Sequence, residues 1–524
     1  MKYTFRSLRF FNYRMWSAGA IISNTGTWMQ RVAQDWLVLT VLTDNSAIAV
    51  GITTGLQFGP ILVLAPLAGV ISDRFNKRIV LMITQTSAGI ISLVLGLLIL
   101  GGHAQLWHVY VLALLSGVVA AIDSPSRQTF VTEMVPIEDL PNAVGLNSAS
   151  FNAARLVGPG VAGLLIAGIG IGWVFIINAA TFLAVVYSLT RIRVSALAVI
   201  GGPKRSKGAM RAGMRYVRAR PDIMLILVVI GLVGAFGINF QMTTAIIARL
   251  VFDKGAAEYG LLGSIMAVGS LAGALLAARR DHPSTKMVVG SAFVFGVFST
   301  IAALMPTYWT FAIALIPVGL SALLLLTTAN STVQMTVAPA MRGRVMALYM
   351  AIFMGTTPIG APIIGWIGEA WGPRWSILFG GLVSMVTAAV AIVFLMWVNK
   401  VRFGYDADAR LRFGLVPTRA GLRAQALEKL AAQHAQDDAA GACRTRPELR
   451  CRACAQAASG PRESGRVRRR DGRRRTRRPS SIPSRFLQAR KSRSGLRNRP
   501  HRGPRSAPRS RRSGSRSPRR PTGS

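Results

Sequence analysis

The chain has 524 residues, of which 51% are hydrophobic and 16% are charged. This composition excludes an ordinary soluble protein of this length and indicates an integral membrane protein. The net charge of +42 does not indicate nucleic-acid binding by the whole chain, because 35 of the 62 Lys and Arg residues lie after residue 398.

Twelve apolar stretches follow one another along residues 15–398, each long enough to cross a bilayer, which takes about 20 helical residues. They are predicted at residues 15–42, 47–71, 79–100, 106–123, 143–168, 172–190, 223–250, 258–278, 287–304, 308–330, 345–368 and 375–398. The first should remain as a span, because the basic N-terminus runs into it without a small-residue cleavage site. The predicted fold class is an all-α integral membrane protein with twelve transmembrane helices.

Basic residues are concentrated in alternate loops between these spans. One set of helix ends carries Arg6, Arg9, Arg14, Arg74, Lys77, Arg78, Arg127, Arg279, Arg280, Lys286, Arg342 and Arg344. The other set of ends is nearly uncharged. Since short cytoplasmic loops are enriched in Lys and Arg, both termini are predicted to be cytoplasmic, in a multi-pass protein of the cell (plasma) membrane.

The longest internal loop, residues 191–221, contains nine Lys and Arg residues and divides the spans into two sets of six. We expect an N-terminal bundle at 1–190, a basic cytoplasmic linker at 191–221, a C-terminal bundle at 222–398 and an Arg-rich, mostly disordered tail at 399–524. Within the linker, residues 211–218 fit either an amphipathic helix on the membrane surface or a simple tether. The tether is the preferred interpretation.

The two bundles resemble each other when one is offset by about 202–204 residues, which indicates an internal repeat. At this offset Gly158 and Gly163 fall on Gly360 and Gly365. Parallel six-helix repeats are typical of transporters that rock two halves about a central site.

Residues 69–78 predict a tight, charged hairpin between the second and third spans. Its characteristic residues are Gly69, Asp73, Arg74, Lys77 and Arg78. We expect Asn76 to adopt the left-handed turn that reverses the chain. Asp73 should meet a helix end of the second bundle and hold the cytoplasmic side closed. The alternative is a solvated basic loop without a special role.

The first span carries an unusual number of polar residues for a membrane helix. At 3.6 residues per turn, Asn24, Trp28, Arg31 and Asp35 form one stripe, and Gln34 lies beside it. Arg31 and Asp35 are four residues apart and can pair. Two interpretations remain open: a self-neutralised pair that faces the protein interior, or a proton and substrate site centred on Asp35.

The fifth span contains Arg155 near its middle, followed by Gly158, Pro159 and Gly163. A cation at this depth requires a carboxylate, a substrate anion or backbone carbonyls, and Asp35 or the substrate is the predicted partner. The small residues and the proline predict a bend. This motif is either a packing contact or, as we expect, a flexing interface between the two halves.

Several kinds of site are missing from the sequence. No Gly-x-x-x-x-Gly-Lys-Ser/Thr loop is found, which argues against an ATP-driven pump, and no catalytic, cofactor or metal site is predicted. Cys443, Cys451 and Cys454 all lie in the tail and lack a second ligand pair for zinc. The tail fits binding of anionic lipid, binding of nucleic acid, or no selected function. The last is favoured.

Together these motifs resemble the major facilitator superfamily. Residues 69–78 are similar to its signature between spans two and three, and Gly158, Pro159 and Gly163 resemble its antiporter motif in span five. Residues 125–130, 142–144 and 342–346 are similar to the enterobactin-exporter-like branch of secretion and drug exporters. The resemblance implies two six-helix bundles, alternating access and proton-coupled export of small organic molecules.

Two residues depart from that pattern. Asn76 replaces the glycine that is usual in the signature, and Ala113 occupies the position where many exporters have an arginine in span four. Proton coupling is therefore expected to use Asp35 and Arg155 instead.

The sequence thus predicts a secondary active exporter and not an enzyme. Its expected partners are a small amphipathic substrate such as a drug or a secreted siderophore, protons and membrane lipid, and it is expected to be a monomer. An importer of the same fold is one alternative. A membrane-anchored protein whose tail binds nucleic acid or anionic lipid is another, although no nucleic-acid binding is expected for residues 1–398.

Overall fold

The structure, a computed structural model, describes residues 5–197, 209–279, 283–398, 401–405 and 413–417. Its helices are α1 (Phe11–Leu37), α2 (Ala47–Arg74), α3 (Lys77–Leu100), α4 (Leu106–Glu133), α5 (Leu140–Ile169), α6 (Ile171–Arg191), α7 (Ala209–Arg218), α8 (Pro221–Leu232), α9 (Phe240–Leu250), α10 (Ala256–Ala278), α11 (Thr285–Ala303), α12 (Tyr308–Thr336), α13 (Pro339–Gly355), α14 (Thr357–Ala370) and α15 (Trp375–Val398). A short antiparallel pair follows, β1 (Val401–Tyr405) with β2 (Phe413–Pro417).

The predicted all-α membrane fold is confirmed, and two pairs of helices combine into single spans. A π-helical turn at Val233–Gly237 links α8 to α9 as the seventh span, and α13 continues into α14 as the eleventh. The rest of the predicted tail lies outside the described residues. We call the membrane face at which α1 begins and α15 ends the basic face, and the other the opposite face.

Eleven helical segments within the described part of the chain are long and apolar enough to cross a membrane. The first span, α1 with the π-helical turn Val38–Leu42 after it, is not among them. Its polar stripe lowers its mean hydropathy, yet α1 packs against both α5 and α6 inside the N-terminal bundle. The apolarity that a span needs can therefore be supplied by neighbouring helices rather than by the span itself.

Two helices continue well past their predicted ends at the basic face. The fourth span was expected to stop at residue 123 and the tenth at 330, but α4 runs to Glu133 and α12 to Thr336. Arg127 is therefore a helical residue, not the loop residue that the charge pattern suggested. Its charge misled the prediction because it is neutralised within the same helix, by Asp123.

The described part of the linker is helical. Helix α7 packs on α13, where Val217 is 3% exposed and the Tyr216 hydroxyl accepts a hydrogen bond from the backbone amide of Ala338 at 3.3 Å. The described part of this predicted tether is therefore a helix packed on the C-terminal bundle. The alternating basic and apolar residues of α7 give it one face that docks on the C-terminal bundle.

One contact between the two bundles joins α5 to α10 with almost no side chain between the helices. A side chain at Gly163 would lie only 2.5 Å from the carbonyl oxygen of Ala256, and Gly260 packs as closely against the backbone of Pro159. The Ser264 hydroxyl adds a hydrogen bond to the carbonyl oxygen of Leu156 at 2.8 Å. Small residues allow this approach, which is how membrane helices associate.

The second contact, between α2 and α14, repeats the first with the bundles exchanged. A side chain at Gly51 would lie 2.6 Å from the carbonyl oxygen of Ala361, and one at Gly365 would lie 2.5 Å from that of Ala47. Gly365 is the repeat equivalent of Gly163. The predicted repeat therefore exists in the packing as well as in the sequence.

Both contacts lie toward the opposite face, where α2 and α10 begin. There Glu369, at the end of α14, accepts hydrogen bonds from the Ser46 hydroxyl at 3.0 Å and the Ile48 backbone amide at 3.2 Å. The carboxylate thus caps the N-terminus of a helix from the other bundle, which is a favourable place for a negative charge. These contacts hold the two bundles together at the opposite face.

A pair of glycine substitutions in α5 tests whether backbone contact closes the opposite face. Gly163→Val should separate α5 from α10, whereas Gly145→Val should not, because a side chain at Gly145 meets no atom within 4 Å. The readout is maleimide labelling of a cysteine introduced at the fully buried position of Thr53, in protein whose three tail cysteines are replaced by serine. Labelling should rise at least tenfold with Gly163→Val alone. Equal labelling in the two variants would contradict this role.

Candidate functional site

Two arginines of the N-terminal bundle lie beside one indole ring. The guanidinium carbons of Arg31 and Arg155 lie 4.9 and 5.6 Å from the ring centroid of Trp28. Arg31 also lies 5.5 Å from the ring of Phe58, and Phe151 meets Trp28 edge-on with the centroids 5.8 Å apart. These five residues of α1, α2 and α5 form the group that we call the Trp28 cluster.

Gly158 explains how the cluster assembles. A side chain there would lie 2.6 Å from Cβ of Trp28 and 3.2 Å from the carbonyl oxygen of Thr25, so α5 crosses α1 at very short range. Arg155 precedes Gly158 by three residues and Arg31 follows Trp28 by three, which places each arginine on the same helix face as the crossing point. Of the predicted bend motif, Gly158 packs on α1, and Pro159 and Gly163 pack on α10.

Arg31 and Asp35 do not form the ion pair that their spacing permits. Among the described residues, neither Arg31 nor Arg155 has a carboxylate within the ion-pair distance of 4.0 Å. The Nε atom of Arg31 is buried without a hydrogen-bond partner. The pair of Arg31 with Asp35 does not form, because Arg31 turns toward the rings of Trp28 and Phe58. Of the two partners predicted for Arg155, Asp35 is not in contact with it, and the substrate stays a prediction.

Asp35 instead faces the other bundle. It is 7% exposed, and its Oδ2 lies 3.5 Å from the hydroxyl of Tyr259 in α10, which also lies 3.0 Å from the carbonyl oxygen of Gln241. The Tyr259 ring is stacked on Trp36, with centroids 5.6 Å apart. Since a hydroxyl has one proton to donate, Asp35 and Gln241 compete for it. A buried carboxylate thus lies in the contact between the bundles.

The two predicted amides of the first span differ in their surroundings. Asn24 is partly buried, and Gln34 is 3% exposed. Within the described part of the chain, no hydrogen bond joins either amide to the arginines of the Trp28 cluster. Asn24 lies one turn before Trp28 on the same stripe, so it remains a candidate for substrate contact, whereas Gln34 is part of the packed interior.

A second charged group in the N-terminal bundle contains an ion pair, and the sequence did not reveal it. Asp123 pairs with Arg127 at 2.9 Å and accepts hydrogen bonds from Thr84 at 2.8 Å and Gln85 at 2.7 Å. Arg127 also lies 5.5 Å from the ring centroid of Trp16. The four-residue spacing of Asp123 and Arg127 was the available signal, but it was obscured by placing both residues at a helix end.

The predicted hairpin is shorter than expected. Helix α2 continues through Gly69 to Arg74, so the reversal occupies only Phe75 and Asn76. Asn76 has a φ of −61° and its side chain accepts a hydrogen bond from the amide of Arg78 at 3.0 Å. The predicted left-handed turn is therefore wrong, because Asn76 caps α3 instead. The predicted contact of Asp73 falls on a side chain outside the described residues.

The cations of this hairpin have different roles. Arg78 donates hydrogen bonds to the carbonyl oxygens of Leu189 at 2.7 Å and Thr190 at 3.1 Å, and so caps the end of α6. Lys77 pairs with Glu133 at 2.5 Å, which joins α3 to α4. Arg74 is exposed. Two of the three cations therefore hold the N-terminal bundle together at the basic face.

No group of three or more His, Cys, Asp or Glu residues that could hold a metal ion occurs in the part of the chain that the structure describes. Besides the Asp123–Arg127 pair, the N-terminal bundle carries the two arginines of the Trp28 cluster and, at the contact between the bundles, the carboxylate of Asp35.

Comparison with known proteins identifies one family and several relatives of this chain. Residues 4–456 match the family described as transmembrane secretion effector. The chain is 26% identical over 391 residues to the multidrug efflux pump Tap of Mycolicibacterium fortuitum, covering 71% of this chain and 93% of Tap. It is 22% identical over 350 residues to the staphyloferrin A transporter of Staphylococcus aureus, covering 66% and 87%.

The chain is also similar to another relative and to two solved structures. The enterobactin exporter EntS of Shigella boydii is 24% identical over 376 residues, covering 68% of this chain and 86% of EntS. The fold is similar to that of the nucleoside transporter NupG, with a TM-score of 0.58, 13% identity and coverage of 73% and 99%. It is also similar to that of a D-xylose-proton symporter, with a TM-score of 0.56, 13% identity and coverage of 73% and 97%.

Thermal unfolding should distinguish Arg155, which has no carboxylate partner, from Arg127, which has one. A cation–π contact stabilises a protein by about 0.5–2 kcal/mol. This is less than the several kcal/mol of hydration free energy that an unpaired cation loses when it leaves water. Arg155→Met should therefore raise the unfolding temperature of the ligand-free protein by a few degrees. Arg127→Met should lower it, because it leaves Asp123 without its counter-ion at a cost of about 3–5 kcal/mol. A similar drop for both variants would contradict the distinction.

Proposed function

Because the chain belongs to the transmembrane secretion effector family, a branch of the major facilitator superfamily of membrane transporters, we propose that it is a proton-coupled exporter of small amphipathic molecules. It works by alternating access, as a monomer in the cell membrane surrounded by lipid. Its substrate is a secreted metabolite of the siderophore type or a drug-like compound.

Export is favoured over import by the relatives. The names of Tap and EntS describe an efflux pump and an exporter, and both match over most of their length. Identities of 26% and 24% support the direction of transport and do not identify the substrate. The structural neighbours support the fold alone.

Orientation follows from the charge pattern. The basic face carries the cationic helix ends, so we place it in the cytoplasm by the positive-inside rule. The opposite face is then external, and the contacts α5–α10 and α2–α14 close it. In an alternating-access cycle the two repeats rock about the middle of the membrane, and a closed external face belongs to the part of the cycle in which substrate does not exchange with the outside.

The observation that carries the proposal of proton coupling is the position of Asp35. It lies 3.5 Å from Tyr259 across the contact between the bundles, one helical turn after Arg31 of the Trp28 cluster. When the bundles separate at the opposite face, this carboxylate loses its partner and meets external water, where it can take up a proton. When they close again, the neutral acid is the form that is cheaper to bury. The cycle is completed when Asp35 releases this proton toward the basic face and is again a carboxylate, so that one proton moves inward for each return to the starting state.

The test compares Asp35→Asn with Asp44→Asn in proteoliposomes under an imposed pH gradient. The substrate panel contains enterobactin, staphyloferrin A and ethidium, the last as a drug-like cation. Asp35→Asn should lose at least tenfold of gradient-driven accumulation while it still exchanges substrate without a gradient, because only coupling is removed. Asp44 is exposed in the loop before α2, so its variant should match the wild type.

Two results would contradict the proposal. Gradient-driven accumulation at the wild-type rate by Asp35→Asn would remove Asp35 from coupling. Accumulation in the direction of import, with the basic face determined independently as cytoplasmic by protease protection of the C-terminal tail, would favour the importer.

A further inference from the structure

We propose that the substrate is an anion with a flat or aromatic part, bound through its negative charge by Arg31 and Arg155 and through its ring by the aromatic walls of the Trp28 cluster. This inference rests on the proposed transport function and specifies the chemical class of its substrate. It concerns binding alone, so it can fail or succeed independently of proton coupling and of direction.

These two arginines differ from the cations that have a carboxylate partner. Within the described residues, Arg9, Lys77, Arg127, Arg220 and Arg249 each pair with a carboxylate at 2.5–3.0 Å. Arg31 and Arg155 lie deeper in the membrane region, where a counter-ion is needed most, and have none. Arg31 is attracted by the charge of Asp35, one helical turn away, and repelled by that of Arg155.

The net charge of the site also favours an anion. The two arginines leave the interior of the N-terminal bundle with an excess of positive charge at this depth, which is one charge when Asp35 is ionised and two when it is neutral. An uncompensated charge inside a membrane protein is costly and is retained where it serves binding or transport. A bound anion would reduce the excess, whereas a cationic ligand would increase it.

The residues of the Trp28 cluster are exposed enough, and aromatic enough, to bind a flat ligand. Phe151 is 46% exposed, and Trp28, Arg31 and Arg155 are all partly exposed rather than sealed in the core. The cluster therefore lies at a surface of the N-terminal bundle and is not enclosed by protein on all sides. Rings at its walls can stack on a planar group, and guanidinium groups bind carboxylate or phenolate oxygens in the plane of such a group.

Equilibrium dialysis with three ligands of one shape tests the inference on the purified full-length protein. The ligands are 2-naphthoate, the neutral 2-naphthamide and the cationic 2-naphthylmethylammonium. We expect 2-naphthoate to bind at least tenfold more tightly than either of the others, because only its charge complements the two arginines.

Substitutions then assign the effect to the cluster. Arg155→Gln and Arg31→Gln should each weaken 2-naphthoate binding at least tenfold and leave 2-naphthamide binding unchanged, while Trp28→Leu should weaken both. Arg14→Gln is the matched control, because Arg14 is an exposed cation of the same helix, beside the ring of Phe11. If a glutamine variant does not fold, as judged by size-exclusion chromatography, Arg155→Lys and Arg31→Lys replace it. Each should retain the preference for 2-naphthoate over 2-naphthamide.

Three outcomes would overturn the inference. They are no measurable binding of 2-naphthoate by the folded wild type, equal binding of the three ligands, and 2-naphthoate binding that is indifferent to both arginine substitutions. Loss of proton coupling in Asp35→Asn with these preferences intact would leave the inference standing. Gradient-driven export of ethidium with no export of anions would preserve the proposed transport function and overturn the substrate class.

Discussion

Close backbone contact at glycine is the constraint on which the rest of this structure depends. In a bilayer, helices gain nothing by leaving lipid of equal apolarity, so they associate where small residues let their surfaces meet. Gly158 lets α5 cross α1 and so brings Arg155 to Trp28. One turn later in the same helix, Gly163 lets α5 meet α10 and close the opposite face. A single stretch of α5 therefore sets both the geometry of the candidate binding site and the contact that closes the opposite face.

Charged residues of the N-terminal bundle fall into two groups by their partners. Asp123 with Arg127, and Lys77 with Glu133, are neutralised and tie neighbouring helices together. Arg31, Arg155 and Asp35 form no ion pair with one another, although two of them are only four residues apart. Asp35 contacts the other bundle, and the arginines face aromatic rings. The first group stabilises the fold, and the second contains the residues that we propose for substrate and proton binding.

Much of the architecture was predictable because it depends on the local pattern of the sequence. Apolar length gave the spans, and the repeat gave the pairing of Gly158 and Gly163 with Gly360 and Gly365. The stripe from Asn24 to Asp35 located the candidate site. What could not be predicted depended on side-chain direction or on distant partners. Spacing of four permits an Arg31–Asp35 pair but cannot forbid a rotamer that turns Arg31 toward Trp28.

Contacts between residues far apart in the sequence could not be predicted either, because local spacing does not reveal distant partners. Tyr259 lies 224 residues after Asp35, and nothing in the periodicity of α10 distinguishes it from other buried residues. Asn76 was assigned a left-handed turn because asparagine tolerates one, yet it also caps helices well, and the continuation of α2 to Arg74 decided between the two. Arg127 was read as a loop cation because its counter-ion Asp123 was not recognised.

In the cycle that we propose, the two bundles rock about these glycine contacts and open one face as the other closes. Pulsed electron paramagnetic resonance can measure this motion, with spin labels at Asp44 and Ala370 across the opposite face and at Phe75 and Gly343 across the basic face. We expect reciprocal changes with pH and substrate: conditions that lengthen the first distance should shorten the second. A distance across the opposite face that stays constant under all conditions, or two distances that change in the same sense, would contradict it.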